Sequence, residues 1–146
     1  MKKNWKYMVT LLLVVHVTLT QAQDWHLDLN QAQIEAQETG KKIILVFSGS
    51  DWCAPCIKLE KEIWESAEFQ AYAKENYVML RADFPRKKAN QLPEAQARKN
   101  GELAEKYNSK GFFPLVVVLD DHGQVMGETG YKKMSPQEYI GHLNSF

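Results

Sequence analysis

A chain of 146 residues, 45% apolar and 25% charged, has the make-up of one globular domain with a hydrophobic core. Eighteen basic and eighteen acidic residues cancel, so bulk charge gives no reason to propose nucleic acid as a partner. No internal repeat interrupts the chain.

The N-terminal stretch "MKKNWKYMVTLLLVVHVTLTQAQ" differs from the rest. Lys2, Lys3 and Lys6 precede an apolar run from Met8 to Leu19, and Thr20-Gln21-Ala22 follows. A basic start, a short apolar middle and a small residue at the end predict a secretory signal peptide over 1–22, cleaved after Ala22. The run falls short of the roughly 20 apolar residues a spanning helix needs, and His16 and Thr18 break it. An uncleaved membrane anchor is the competing reading. Loss of the three lysines leaves 15 basic against 18 acidic residues, a formal charge of −3 on the domain at 23–146. Export also places the cysteines where disulfides persist.

"WHLDL" offers a short leading strand. "NQAQIEAQETG" then reads as a helix capped by Asn30 and stopped by Gly40. "IILVF" is an apolar, mostly β-branched run suited to a strand covered on both faces. "CIKLEKEIWE" is helical, with Cys56, Leu59 and Ile63 on one stripe. "SAEFQAYAKEN" predicts a helix capped by Ser66, and "YVMLRADF" the next strand. Residues 84–92, with "PRKKANQLP" running from Pro85 to Pro93, form a proline-bracketed basic loop. "EAQARKNGELAEKYN" is a helix with Gly101 as its weak point. "PLVVVLD" and "QVMGETG" make a hairpin about Asp121–Gly123. "SPQEYIGHL" closes the chain as a helix with Ser135 as cap and Pro136 in its first turn. Alternating units of this kind build a mixed, mostly parallel sheet flanked by helices, an α/β class.

"FSGSDWCAPCIKLE" places Cys53 and Cys56, the only cysteines, where a central strand gives way to a helix. Strand carboxyl ends are where open α/β sheets keep their chemistry. Unpaired N–H groups and the helix dipole favour a thiolate there, below the free value of about 8.5. The first cysteine suits attack, and the second, one turn further in and more buried, suits release of a mixed disulfide. Pro55 lacks an N–H where none is needed. Trp52 would cover one side of the site with a flat apolar surface, and the charge of Asp51 would oppose the thiolate. Zinc needs about four ligands, and His26, His122 and His142 lie far apart. A structural disulfide closing so small a ring is a poor staple. Redox chemistry is the better account.

"DWCAPC" resembles the Trp-Cys-Gly-Pro-Cys motif of the thioredoxin family, in its exported bacterial branch, with Ala54 for glycine. "IILVFSGSDWCAPCIKLEKEIW" and "FFPLVVVLDDHGQVMGETGY" extend the resemblance over about residues 30–146. It implies a thioredoxin-like fold, Cys53 as nucleophile, Cys56 as resolving thiol and Pro114 as a cis-proline beside them. Trp52, Pro55, Phe113 and Pro114 would contact an extended substrate segment by packing and main-chain hydrogen bonds. It implies no cofactor, since the two thiols carry the electrons.

Three departures stand out. Phe47 occupies the position where the family often has a buried aspartate serving the second cysteine, and Glu60 reads as a solvated helix-face residue. Phe112 and Phe113 separate Gly111 from the proline, where one residue is usual, and read as core, with a substrate platform as the alternative. The 84–100 segment is longer than usual, with Arg86, Lys87 and Lys88 as a solvated basic turn. The expected protein is a monomeric, periplasmic or secreted thiol–disulfide oxidoreductase. Its partners are proteins with thiols or disulfides and a membrane or exported redox donor, and its direction is open. The alternative is a client-binding, chaperone-like module on the same fold.

Overall fold

The computed structural model describes residues 23–146. The leader expected over 1–22 lies outside the described residues. Among those described, no helix is long and apolar enough to cross a membrane.

Strand β1 (Trp25–His26) leads into helix α1 (Leu29–Thr39) and strand β2 (Lys42–Ser48). Helix α2 (Ala54–Leu59) runs on into a π-helical turn at Glu60–Trp64. Helix α3 (Ala67–Asn76), strand β3 (Tyr77–Asp83) and helix α4 (Glu94–Tyr107) come next, then strands β4 (Leu115–Leu119) and β5 (Val125–Thr129) and helix α5 (Pro136–Asn144). The five strands form one sheet in the order β1-β3-β2-β4-β5. β1 and β2 run parallel to β3, and β4 is antiparallel to β2 and β5. This is the mixed α/β sheet expected, leading strand included.

β2 lies at the centre, and its apolar residues divide by alternation between two cores. Ile44 and Val46 face Leu59, Ile63, Trp64, Phe69, Tyr139 and Leu143 from α2, the π-turn, α3 and α5. Ile43, Leu45 and Phe47 face Ala32, Ala36, Leu103 and Tyr107 from α1 and α4. A strand buried on both sides needs no polar face, hence the unbroken "IILVF".

Most helix ends fall where expected. Gly40 ends α1 at φ 70°, a left-handed conformation that glycine adopts without a Cβ penalty. Ser66 accepts from Phe69 N–H, and Ser135 with Glu138 completes a capping box. The cap of α1 is a correction: Asp28, not Asn30, accepts from Gln31 N–H, and Lys99 pairs with the same carboxylate. Asp28 wins because Leu29 already belongs to the helix. Gly101 does not interrupt α4.

Candidate active site

Cys53 and Cys56 are joined by a disulfide, S–S 2.08 Å and Cα–Cα 5.2 Å. Cys53 is the N-cap of α2, with extended backbone, and its sulfur accepts from Cys56 N–H at 3.3 Å. Pro55 occupies the first turn, where its missing N–H leaves no gap. The sulfur of Cys56 accepts from Gly49 N–H at 3.5 Å. The expected difference in burial is absent, since Cys53 is 4% exposed and Cys56 3%. The disulfide holds the two sulfurs at a similar depth.

Register places the proline. Phe47 pairs with Leu115 across the antiparallel β2–β4 ladder, so Pro114 lies level with Ser48, where the cysteine loop leaves the sheet. The Phe113–Pro114 peptide is cis. Phe113 meets the edge of Trp52 at 5.4 Å between ring centroids and Phe84 at the same distance, and Phe84 stacks on Phe47. The core reading thus holds for Phe113, which is half-buried against the α1/α4 core, but not for Phe112, which is 59% exposed. Asn108 accounts for the difference. Its side chain bonds both the N–H and the C=O of Phe112 and fixes that backbone in an outward turn.

Trp52 is less open than its place beside Cys53 suggests. Its indole packs so closely on Gly49 that a Cβ there would collide with the ring. Its Nε1–H donates to Phe84 C=O at 2.7 Å. The guanidinium of Arg86 sits over the ring, 3.6 Å from its centroid. The flat surface expected to meet substrate is therefore covered by the protein's own arginine, and the 84–92 loop is not merely a solvated turn.

Asp51 holds that loop. Its carboxylate accepts from Arg86 N–H and Lys87 N–H, both at 2.9 Å, and from Asn90 Nδ2 at 3.0 Å. The Arg86 amide, then the Asn90 side chain, keep its carboxyl below the usual aspartate value. Its negative charge is thus engaged by the loop, which tempers the opposition to a thiolate read from sequence. Asp83 secures the other end of the turn by accepting from Ser50 N–H at 2.9 Å and Ser50 Oγ at 2.6 Å.

On the Cys56 side lies a smaller cavity of about 190 Å³, lined by Ser48, Ser50, Cys56, Glu60, Lys61 and Arg81 among others. Glu60 is not simply solvated: Arg81 binds its two oxygens at 2.9 and 2.7 Å. Arg81 in turn lies over Trp25, 3.9 Å from the ring centroid. Sequence reasoning missed this pair because Glu60 and Arg81 are 21 residues apart and meet only once β3 lies beside β2. Phe47 is fully buried, leaving no carboxylate at that position. Among the described residues, no group of three or more histidines, cysteines or carboxylates could hold a metal ion.

A thioredoxin-like family profile matches residues 24–121. The chain is 36% identical over 115 residues to the disulfide bond reductase DsbH of Chlamydia pneumoniae, a match covering 79% of this chain and 68% of that protein. The thioredoxin-related protein DsbJ of the same organism is 32% identical over 90 residues, 56% of this chain and 26% of DsbJ. A solved DsbH oxidoreductase superposes with a TM-score of 0.78 at 33% identity, over 86% of this chain and 84% of the other. A disulphide isomerase from Xylella fastidiosa Temecula1 gives 0.59 at 22% identity, over 80% and 86%, a likeness of fold alone.

Proposed function

The chain belongs to the thioredoxin-like family and is a thiol–disulfide oxidoreductase, and from that premise we propose that it reduces disulfides of exported proteins, with Cys53 attacking and Cys56 resolving. The observation that carries the roles is the cap geometry. Only Cys53 points its sulfur at the open end of α2, where Cys56 N–H donates to it. In the dithiol form the same N–H favours a thiolate.

The exchange runs in two steps. The Cys53 thiolate attacks one sulfur of a substrate disulfide. That S–S bond breaks, a mixed disulfide forms, and the first substrate sulfur leaves as a thiolate that takes a proton from solvent. Cys56 then loses its proton and attacks Cys53 Sγ. The mixed disulfide breaks, the second substrate sulfur leaves and is protonated, and Cys53–Cys56 is restored as a disulfide. Two electrons pass to the substrate, so a dithiol protein of the membrane or envelope must return them. Pro55, Phe113 and Pro114 frame the place where an extended substrate segment lies, beside the Trp52 ring that Arg86 covers. Reduction is favoured by the relative named a disulfide bond reductase and by Ala-Pro between the cysteines, close to the Gly-Pro of reducing family members.

An insulin-reduction assay on the wild type and Cys53→Ser tests the activity. Turnover in the wild type, lost in the variant, supports the reading; equal rates overturn it. Export is supported by the leader-like 1–22 segment. Mass spectrometry of envelope protein should find a chain starting at or near Gln23, and size-exclusion chromatography should find a monomer.

A further inference from the structure

We propose that the loop at residues 84–91 reads substrate charge, Arg86 with Lys87 and Lys88 receiving an acidic segment next to the cysteine under attack. This rests on the oxidoreductase reading above and adds a preference that the disulfide itself does not possess.

The loop is fixed beside the reacting sulfurs. Asp51 and Trp52, the two residues before Cys53, hold it through four hydrogen bonds: three to the Asp51 carboxylate and one from Trp52 to Phe84 C=O. Phe84 N–H adds a bond to Ser48 C=O at 2.9 Å. A basic segment tied down in this way offers its charges at a set place, so docking against it loses less conformational entropy than ordering a free loop.

The cations of the loop make no ion pair among the described residues, although Lys87 lies near enough to Asp51 for its charge to help lower that carboxyl. The nearest carboxylates are engaged elsewhere, Asp51 with backbone N–H groups and Asn90, Asp83 with Ser50. Among the described residues, Arg86, Lys87 and Lys88 enter no ion pair, and all three are exposed. A guanidinium held over an aromatic ring keeps its in-plane N–H donors free for the fork geometry that suits a carboxylate. No hydrogen bond from the Arg86 side chain to a described residue is found, and the residue is exposed.

The space beside it fits a side chain. An open cavity of about 630 Å³ is lined by Trp52, Phe84, Pro85, Arg86, Gly111 and Phe113. Arg86 is the one charged residue in this lining; the others offer rings, a proline and backbone. The rest of the 23–146 domain carries more acid than base. An acidic segment is therefore repelled broadly and attracted here, which selects orientation as well as composition.

The test uses disulfide-bonded model peptides that differ only in Glu, Gln or Lys beside the cysteine, with kcat/KM measured for the reduced protein. The Glu peptide should exceed the Lys peptide by about tenfold, a difference of about 1.4 kcal/mol. The ratio should fall towards one in 1 M salt, where the Debye length is about 3 Å. It should also fall in Arg86→Gln and, separately, in Lys87→Gln/Lys88→Gln, whose exposed side chains can change without unfolding the protein. A wild-type ratio within about twofold of one, or a ratio that neither variant nor salt moves, overturns the charge preference. If insulin is still reduced, the oxidoreductase reading survives that result; if neither insulin nor any peptide turns over, both fall.

Discussion

Cys53 and Cys56 are buried to nearly the same degree, yet the two sides of their disulfide are built differently. The Cys53 side is aromatic and basic. It is assembled from Trp52, Phe113 and a loop held by Asp51, and it opens to solvent. The Cys56 side is a smaller cavity against Ser48, Ile57 and the Glu60–Arg81 pair. Exposure alone does not separate an attacking thiol from a resolving one in the bonded state. The surroundings of the two sulfurs differ instead, with the larger, more open cavity next to Trp52 and the smaller one next to Cys56.

The comparison breaks most completely if the sulfurs are interchangeable. Cys53→Ser should lower disulfide reduction by about a thousandfold or more, as loss of a nucleophile does. Cys56→Ser should instead accumulate a substrate bound through Cys53, visible as added mass under non-reducing conditions. Trapping of substrate by Cys56 in the Cys53→Ser variant would reverse the assignment.

Phe47 tests how far the cavity beside Cys56 depends on the core behind it. The residue is fully buried and pairs with both Ala82 and Leu115. Phe47→Asp removes that packing and buries a carboxyl, so urea unfolding should show a loss of about 3 kcal/mol or more. A loss under about 1 kcal/mol would mean that the site accommodates a carboxyl in place of the ring and that the packing of Phe47 contributes little.

Glu60 sharpens the contrast on the inner side. Glu60→Gln should slow release of the mixed disulfide in stopped-flow experiments by about tenfold or more, while the first attack is unchanged. Equal slowing of both steps would show that the pair merely supports the fold.

The smallest effect concerns Asp51. Its folded-state carboxyl titrates below its ordinary value of 3.8. The charged form therefore favours the held loop above that value, and the contribution is lost as pH falls through the lower folded value. Asp51→Ala should mimic the acid state at neutral pH. Amide exchange at Arg86 and Lys87 should quicken, with little change at Gly49.

The fold was readable from sequence because its signals are local. An apolar run, cap residues and a turn motif each act within a few positions, and β2, α3 and α5 emerge where those signals lie. The cysteine pair was readable for the same reason, since its spacing carries the chemistry. The Asp51 clamp was not, because its partners lie 35 to 39 residues away and two of them are backbone N–H groups, which carry no residue signature. Arg86 over Trp52 was hidden likewise. A basic turn looks solvated until the strand that delivers it is placed beside the site.

The π-helical turn at Glu60–Trp64 bears on how this chain can tolerate insertion and deletion. A wider turn accommodates an additional residue, and here it lets the consecutive Ile63 and Trp64 both enter one core. Deleting one residue there would restore regular α-helix with the flanking chain near its present orientation, because the wide turn absorbs the extra residue, but Ile63 and Trp64 could no longer both enter the core. A deletion within α2, where no wide turn absorbs it, would instead rotate the helix by about 100° and take Cys56 and Leu59 out of their register with Val46. Length changes are therefore harmful within α2 and better borne at residues 91–93, ahead of α4, where the chain can shift without rotating the sulfurs.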